Sequence, residues 1–242
     1  LAMQQDIRPL RLLMLNLMPK KKDTEIQFAR LFGNTPLQVE MILMTTASYT
    51  PRNTEPGYMR RFYRQLDDVR DDYFDALIVT GAPIETLPFQ DVTYWQELTE
   101  IMEWSRSHCF RRLGICWGAQ ALLHYFHDVP KYEMDKKLFG IFEHQLNDLS
   151  GRLMNGFTDR FPMPISRYTM NRPDDLKKAG LQVLAEGSEC GVGMVRDGET
   201  GDLFVLNHLE YDAATLADEF HRDATEGKKT ALPEHYFPND DV

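Results

Sequence analysis

Cysteine is scarce in this chain: 242 residues hold three, Cys109, Cys116 and Cys190, with no Cys-x-x-Cys pair. A sparse, odd set cannot build a disulfide framework, and it leads us to expect a reducing, cytoplasmic setting. No cluster of His and Cys has metal-ligand spacing, so no metal site is expected. No apolar run reaches the ~18 residues of a membrane helix, and no signal-peptide pattern is present. Basic residues are in deficit, with 27 Lys and Arg against 37 Asp and Glu and a formal charge of −10. That balance argues against a general nucleic-acid or anionic-membrane surface; a phosphate-bearing ligand needs a local basic patch. Internal repeats and low-complexity tracts are missing too. The length that remains suits one large α/β domain with a substantial core.

Hydrophobic patterning predicts strands at 11–18, 37–44 and 74–80, another running into Ile115, and a late one at 203–207. Between them it predicts helices at 24–32, with Thr24 as the cap, at 95–106, and directly after Cys116. Strands alternating with helices imply a doubly wound, mostly parallel sheet covered on both faces. Chemistry in such sheets sits beyond the C-terminal strand ends. Three connections leave such ends: 16–24, 80–85 and the turn at Cys116. Residues 1–242 are read as a single domain, with a loop-rich cover around 148–187 and a mobile, polar tail after about 226.

Cys116 stands in Leu113-Gly114-Ile115-Cys116-Trp117-Gly118-Ala119-Gln120, an apolar run entering a helix-forming one, with a glycine two residues to either side. This is the pattern of a strand, a tight turn and a helix whose turn residue is a nucleophile. The helix N-terminus directs free N–H groups and the positive end of its dipole at the sulfur, which favours the reactive thiolate. A small apolar core residue is the alternative for an isolated cysteine. After the late strand come His208 and Glu210, which face one side of an extended segment. A thiol nucleophile requires a base, and a histidine held by a carboxylate supplies one. Alone, His208 reads as a hydrogen-bonded surface histidine; Cys116 upstream and Glu210 two residues on make it the candidate base. The other histidines have no comparable partner in sequence. An oxyanion would be met by the N–H of Trp117 and by the Gly81-Ala82 turn, although an ordinary β-to-α connection explains Gly81-Ala82-Pro83 equally well.

The Gly114-Ile115-Cys116-x-Gly118-x-Gln120 motif with His208-x-Glu210 resembles the class I glutamine amidotransferase superfamily. Longer matches narrow this: Asn16-Leu17-Met18-Pro19-Lys20-Lys21, Pro36-Leu37-Gln38-Val39-Glu40, Arg52-Asn53-Thr54, Thr80-Gly81-Ala82-Pro83-Ile84-Glu85, Lys137-Leu138-Phe139-Gly140, Ser166-Arg167-Tyr168 and His208-x-Glu210-Tyr211-Asp212. Together they resemble the homoserine O-acyltransferase family of methionine biosynthesis along nearly the whole chain. The resemblance implies that Cys116 takes an acyl group from an acyl-CoA co-substrate and passes it to the hydroxyl of a small amino acid. It makes His208 the base and acid and Glu210 its orienting carboxylate. It also places Lys137 and Ser166 at the acyl and CoA site and Arg222 on the amino acid's carboxylate. Lys20 and Lys21 would add positive potential for the anionic co-substrate. Without the resemblance each of these charges reads as a solvated surface group. In the resemblance, a glutamate at the place of Glu85 accompanies acetyl-CoA use and a glycine succinyl-CoA use, and a carboxylate there would repel the free carboxylate of a succinyl group. Homodimerisation is implied as well.

The chain departs from the family pattern at Tyr49, Gly57-Tyr58, Ile165, Met170, Asn207 and Leu209. These departures keep serine, or a related hydroxy amino acid, beside homoserine as acceptor, because one methylene discriminates by only about 1–3 kcal/mol. An O-succinyl donor, a glutamine amidotransferase domain and a non-catalytic relative are the other readings.

Overall fold

The computed structural model describes residues 7–49, 53–147, 152–228 and 230–237. Its strands are β1 (Leu10–Leu15), β2 (Val39–Met44), β3 (Tyr63–Arg64), β4 (Phe74–Val79), β5 (Cys109–Ile115), β6 (Tyr132–Leu146), β7 (Arg160–Met170), β8 (Gln182–Gly187), β9 (Gly191–Arg196) and β10 (Leu203–Val205). The helices are α1 (Lys21–Gly33), α2 (Pro56–Phe62), α3 (Leu66–Val69), α4 (Trp95–His108), α5 (Trp117–His127), α6 (Pro173–Lys178) and α7 (Thr215–Thr225). All ten strands form one sheet in the order β3-β2-β1-β4-β5-β10-β9-β8-β6-β7. From β3 to β10 neighbours run parallel; from β10 to β7 they run antiparallel.

The central strands are apolar throughout because both of their faces are covered. Leu13, Leu15, Leu77 and Val79 point into the cluster that holds Leu98 and Ile101 of α4 and Leu122 of α5. Met14 and Ile78, one residue out of phase, point the other way, into the cluster around Phe28 of α1. A buried ion pair aligns the centre: Asp202, just before β10, accepts the Arg112 backbone N–H at 2.8 Å and its Nε at 2.5 Å. That fixes β10 beside β5, with Val205 opposite Ile115.

The structure corrects three expectations. Residues 148–151 lie outside the described part, but much of the supposed loop-rich cover is strand and helix: β7, α6 and β8. Pro162 and Pro164 disguise β7, and both are tolerated because β7 is the outermost strand of its side of the sheet. The polar tail is pinned where it is described: Glu234 donates to Phe139 O and accepts from Ile141 N–H, each at 2.9 Å. Gly140, at φ 149°, allows this, since a Cβ there would lie 2.2 Å from Glu234 O. Residues 229 and 238–242 are outside the described part. Finally, Thr24 is no cap; α1 starts a turn earlier, and the Thr24 hydroxyl bonds back to Lys20 O at 3.2 Å.

The glycines flanking Cys116 are packing requirements. A Cβ on Gly114 would meet Ala119 Cα at 2.5 Å, and one on Gly118 would meet Val79 O at 2.3 Å. Gly118→Ala is expected to cost about 2 kcal/mol or more. Gly33→Ala, with nothing within 4 Å of the added carbon, should leave stability unchanged or raise it by up to about 1 kcal/mol. Urea unfolding midpoints of the two variants check this.

Candidate active site

Cys116 joins β5 to α5 with φ 51° and ψ −118°, a conformation that side-chain-bearing residues rarely adopt. The strain is held from both sides: the Cys116 N–H donates to Val205 O at 2.7 Å, and its carbonyl accepts the Gln120 N–H at 3.1 Å. Trp117, the first residue of α5, is wholly buried, with its ring against Phe89, Tyr94 and Trp95. The helix therefore starts at a fixed point with the sulfur at its N-terminus.

Val205 also ends β10, and three residues on, the His208 N–H donates to Pro164 O of β7 at 3.0 Å. His208 Nδ1 and Glu210 Oε1 are 2.7 Å apart, and both residues are buried. This assigns the Nδ1 proton to the carboxylate and leaves Nε2 for Cys116, whose Cβ and the ring's Cε1 both lie within 4 Å of the Cβ position that Gly81 leaves empty. The second carboxylate oxygen of Glu210 has no partner among the described residues. Burial disfavours the imidazolium, but Glu210 and Cys116 together outweigh it and hold His208 well above the ordinary histidine range. Tyr211 stacks on the imidazole at 4.1 Å and 17°. From α1, Arg30 donates to Glu210 O at 3.0 Å and pairs with Asp212, bracing the segment.

Gly81 faces this pair: its missing Cβ would lie 3.5 Å from Cys116 Cβ and 3.8 Å from His208 Cε1. The Trp117 N–H has no intrahelical acceptor at its position, and no described residue accepts from Gly81 or Ala82 N–H. Among the described residues these three N–H groups therefore have no acceptor. Glu85, at the end of the same turn, is half-buried and accepts the Tyr168 N–H at 3.0 Å. Burial pushes its carboxyl up, opposed by that hydrogen bond and by the charges of His208 and Lys137.

Lys137, Ser166 and Arg222 meet on a residue that the sequence reading missed. Glu219 Oε1 accepts from Lys137 Nζ at 2.7 Å and from Ser166 Oγ at 2.6 Å, and lies 3.8 Å from the Arg222 guanidinium. Its position three residues before Arg222 on α7, on the same helix face, was the available signal. Arg222 donates to Asp223 Oδ1 through Nε and Nη2, at 2.9 and 2.7 Å. A second missed group supports the triad from behind: His144 Nε2 meets Asn207 Nδ2 at 2.8 Å and Cys190 Sγ at 3.2 Å, while His144 Nδ1 donates to Phe142 O at 2.9 Å.

Lys21 is corrected. Rather than adding potential for a ligand, it is 2% exposed, its Nζ donates to Asn16 O beneath the Tyr63 ring, and burial lowers its amine to about 8. It closes the end of β1 against the first turn of α1. Lys20 is exposed, with its described hydrogen bonds made by its carbonyl to Thr24. Among the described residues no group of three or more His, Cys, Asp or Glu could hold a metal ion, and no helix is long and apolar enough to cross a membrane.

A sequence profile described as HTS, homoserine O-succinyltransferase, matches residues 1–242. The chain belongs to the homoserine O-succinyltransferase family. Curated relatives include a protein of Clostridium beijerinckii, 50% identical over 242 residues, covering 100% of this chain and 80% of the relative. Another, from Synechococcus elongatus, is 49% identical over 241 residues, covering 99% of this chain and 81% of the relative. A third, from Brevibacillus brevis, is 47% identical over 241 residues, covering 99% and 79%. Each is named homoserine O-acetyltransferase. Among solved structures, a glutamine amidotransferase from Thermotoga maritima matches with a TM-score of 0.63 at 13% identity, covering 93% of this chain and 87% of that one. One from Methylobacillus flagellatus matches with a TM-score of 0.59 at 12% identity, covering 96% and 81%. This homoserine O-succinyltransferase family member thus has the class I glutamine amidotransferase-like α/β fold.

Several departures from the family pattern have local explanations. Ile165 is buried with Phe142 and Cys190, on the face of β7 opposite Ser166. The Tyr58 hydroxyl joins that of Tyr63 on Glu25, at 2.5 and 2.6 Å. Asn207 supplies the bond to His144. Arg52 is outside the described residues.

Since Glu210 raises His208, Glu210→Gln should move the His208 titration to lower pH, followed by NMR of labelled histidine. An unmoved titration would show that the carboxylate charge does not act on the ring.

Proposed function

We propose that the chain is an acyl-CoA-dependent O-acyltransferase that moves an acetyl group from acetyl-CoA to the hydroxyl of L-homoserine through a thioester on Cys116. The observation that carries this is the buried His208–Glu210 pair, set with Cys116 around Gly81 at the mouth of α5. In the first half-reaction His208 Nε2 takes the thiol proton and the sulfur attacks the thioester carbonyl. The N–H groups of Trp117, Gly81 and Ala82 receive the oxyanion. Coenzyme A leaves as its thiol, with the proton returned by the imidazolium. In the second half-reaction His208 takes the proton of the acceptor hydroxyl, the alkoxide attacks the acyl-cysteine, and the ester departs as Cys116 is regenerated. Glu210 holds the imidazole in the productive tautomer and balances the imidazolium.

Glu85 supports acetyl over succinyl. A side chain already occupies this end of the site, and its carboxylate opposes a second one, a juxtaposition that costs several kcal/mol when desolvated. The family profile carries the succinyl name and the relatives above the acetyl name, so Glu85 is the residue on which the donor assignment rests. Arg222 fits the acceptor's carboxylate, provided it exchanges Asp223 for the ligand. Serine competes as acceptor at a difference of about 1–3 kcal/mol. The proposed assembly is a homodimer, the proposed setting the cytoplasm, and residues 1–242 are proposed to act as one domain.

Radiolabelled acetyl-CoA should leave label on the wild type and none on Cys116→Ser; glutaminase activity without labelling overturns the reading. Glu85→Gly should raise the succinyl-to-acetyl ratio by about tenfold or more, the equivalent of ~1.4 kcal/mol, in a panel of homoserine, serine and threonine with both donors. An unchanged ratio sinks the pocket argument.

A further inference from the structure

The turn that follows β4 has little packing to hold it. Thr86, Leu87 and Pro88 are exposed, and Ile84 and Glu85 are only half-buried. Its own hydrogen bonds, Ile84 N–H to Ala82 O at 2.9 Å and Leu87 N–H to Ile84 O at 3.0 Å, set its curvature but not its place. Its place is set from outside. Lys131 Nζ donates to Glu85 O and to Leu87 O, the latter at 2.6 Å, and lies 4.7 Å from the centre of the Phe89 ring. The three donors of the ammonium thus meet two carbonyls and an aromatic face. No backbone N–H among the described residues bonds either carbonyl. Glu85 is held twice, by its carbonyl from Lys131 and by its carboxylate from the Tyr168 N–H at 3.0 Å. Lys131 is itself fixed relative to Cys116. It directly precedes β6, whose Tyr132 lies opposite Met170 of β7. Asn171, just after β7, donates from Nδ2 to Pro130 O at 2.9 Å, and its Oδ1 accepts from Gln120 Nε2 at 3.3 Å. Thr169 Oγ1 donates to Gln120 Oε1 at 2.9 Å, and the Gln120 N–H donates to Cys116 O at 3.1 Å. Gln120, Thr169 and Asn171 are all buried. A polar path therefore runs from the carbonyl of Cys116 through Gln120, Asn171 and Pro130 to Lys131 and the Glu85 turn.

We propose that Lys131 is a positioning residue for donor choice: it holds the turn that presents Glu85 and acts on the reaction only through that residue. The inference rests on the reading of Glu85 as the group that disfavours a succinyl donor. Repulsion discriminates only if the repelling group cannot step aside. A carboxylate on a loose turn rotates into solvent when a second carboxylate arrives, and most of the discrimination goes with it. A carboxylate whose main chain is fixed at its own carbonyl and again two residues on has no such escape. Lysine suits the task because both carbonyls converge on one point, which a compact ammonium on a long stem reaches from the neighbouring element. Without it, the carbonyls of Glu85 and Leu87 have only water to bond, and the exposed turn loses the one side chain that ties its backbone to the strands behind.

The test is a double-mutant cycle on the donor ratio, kcat/KM for succinyl-CoA over that for acetyl-CoA with homoserine as acceptor. It compares wild type, Lys131→Met, Glu85→Gly and the double variant. Both donors meet the same nucleophile, so a general loss of activity cancels from the ratio. Lys131→Met should raise the ratio about threefold or more and should add nothing to Glu85→Gly. In parallel, hydrogen exchange read by mass spectrometry should be faster at 84–88 in Lys131→Met, with peptides of β5 and α5 unchanged. An unmoved ratio in Lys131→Met beside a raised one in Glu85→Gly overturns the inference. So does a full, additive effect of Lys131→Met in the Glu85→Gly background, and so does unchanged exchange at the turn. Should Lys131→Met not fold, Lys131→Gln, whose amide falls one atom short of the ammonium, takes its place with the same expectations. The donor reading fails differently: Glu85→Gly leaves the ratio unmoved, or the wild type transfers neither group, and either result removes donor choice as the role of Lys131.

Discussion

The hydrogen bond from the Cys116 N–H to Val205 O ties the residue after β5 to the last residue of β10. Those strands are neighbours although Ile115 and Val205 are far apart in sequence, and the Arg112–Asp202 pair keeps them in register. Once they are aligned, the segment leaving each strand is placed without further adjustment. Cys116 turns into α5 with its sulfur at the helix mouth, and the segment after β10 brings His208 across to meet it. The positive φ at Cys116 is tolerated only because Gly114 and Gly118 let α5 and the end of β4 close in around the turn. The strained backbone, the glycine pair and the parallel pairing of β5 with β10 are one constraint seen from three directions.

Around that centre the charges are supported in layers. Glu210 orients His208, Arg30 of α1 grips the Glu210 carbonyl, and His144 steadies Asn207 from behind. The second oxygen of Glu210 has no partner among the described residues, so His208 is the one described side chain that its carboxylate meets. The cluster around Glu219 is arranged differently. There Glu219 is shared by Lys137 and Ser166, while Arg222 stays partly exposed on Asp223. On the proposed reading, groups paired with one another in this way exchange those partners for a zwitterionic ligand.

Five strands of the parallel half, β1, β2, β4, β5 and β10, were legible as short apolar runs, whereas β3, only Tyr63–Arg64, was not. The Cys116 turn was legible because two glycines at fixed spacing have a local cause. The antiparallel half was not. β7 contains Pro162 and Pro164, which normally interrupt strands, and only its place at the sheet edge accommodates them. Lys21 was misread because burial of a lysine depends on Asn16 and Tyr63 arriving from elsewhere in the chain. Glu219 escaped for a related reason: it looks like any helix-surface carboxylate until Lys137 and Ser166 reach it.

The two halves of the sheet also divide the labour. Cys116, Trp117 and Gly81 come from the parallel half, which the fold shares with glutamine amidotransferases at 13% identity or less. Lys137, Ser166 and Tyr168 come from β6 and β7, and Glu219 and Arg222 from α7. A thiol at a helix mouth with an imidazole beside it can attack any carbonyl delivered to it, so it does not by itself choose between an amide and a thioester. On the proposed reading that choice belongs to the antiparallel pair. It carries the cations that meet a carboxylate-bearing acceptor, and through the Tyr168 N–H it fixes the carboxylate of Glu85. Changes on β6, β7 and α7 can therefore redirect the substrate while the elbow remains intact, whereas a change at the elbow removes the chemistry for every substrate alike.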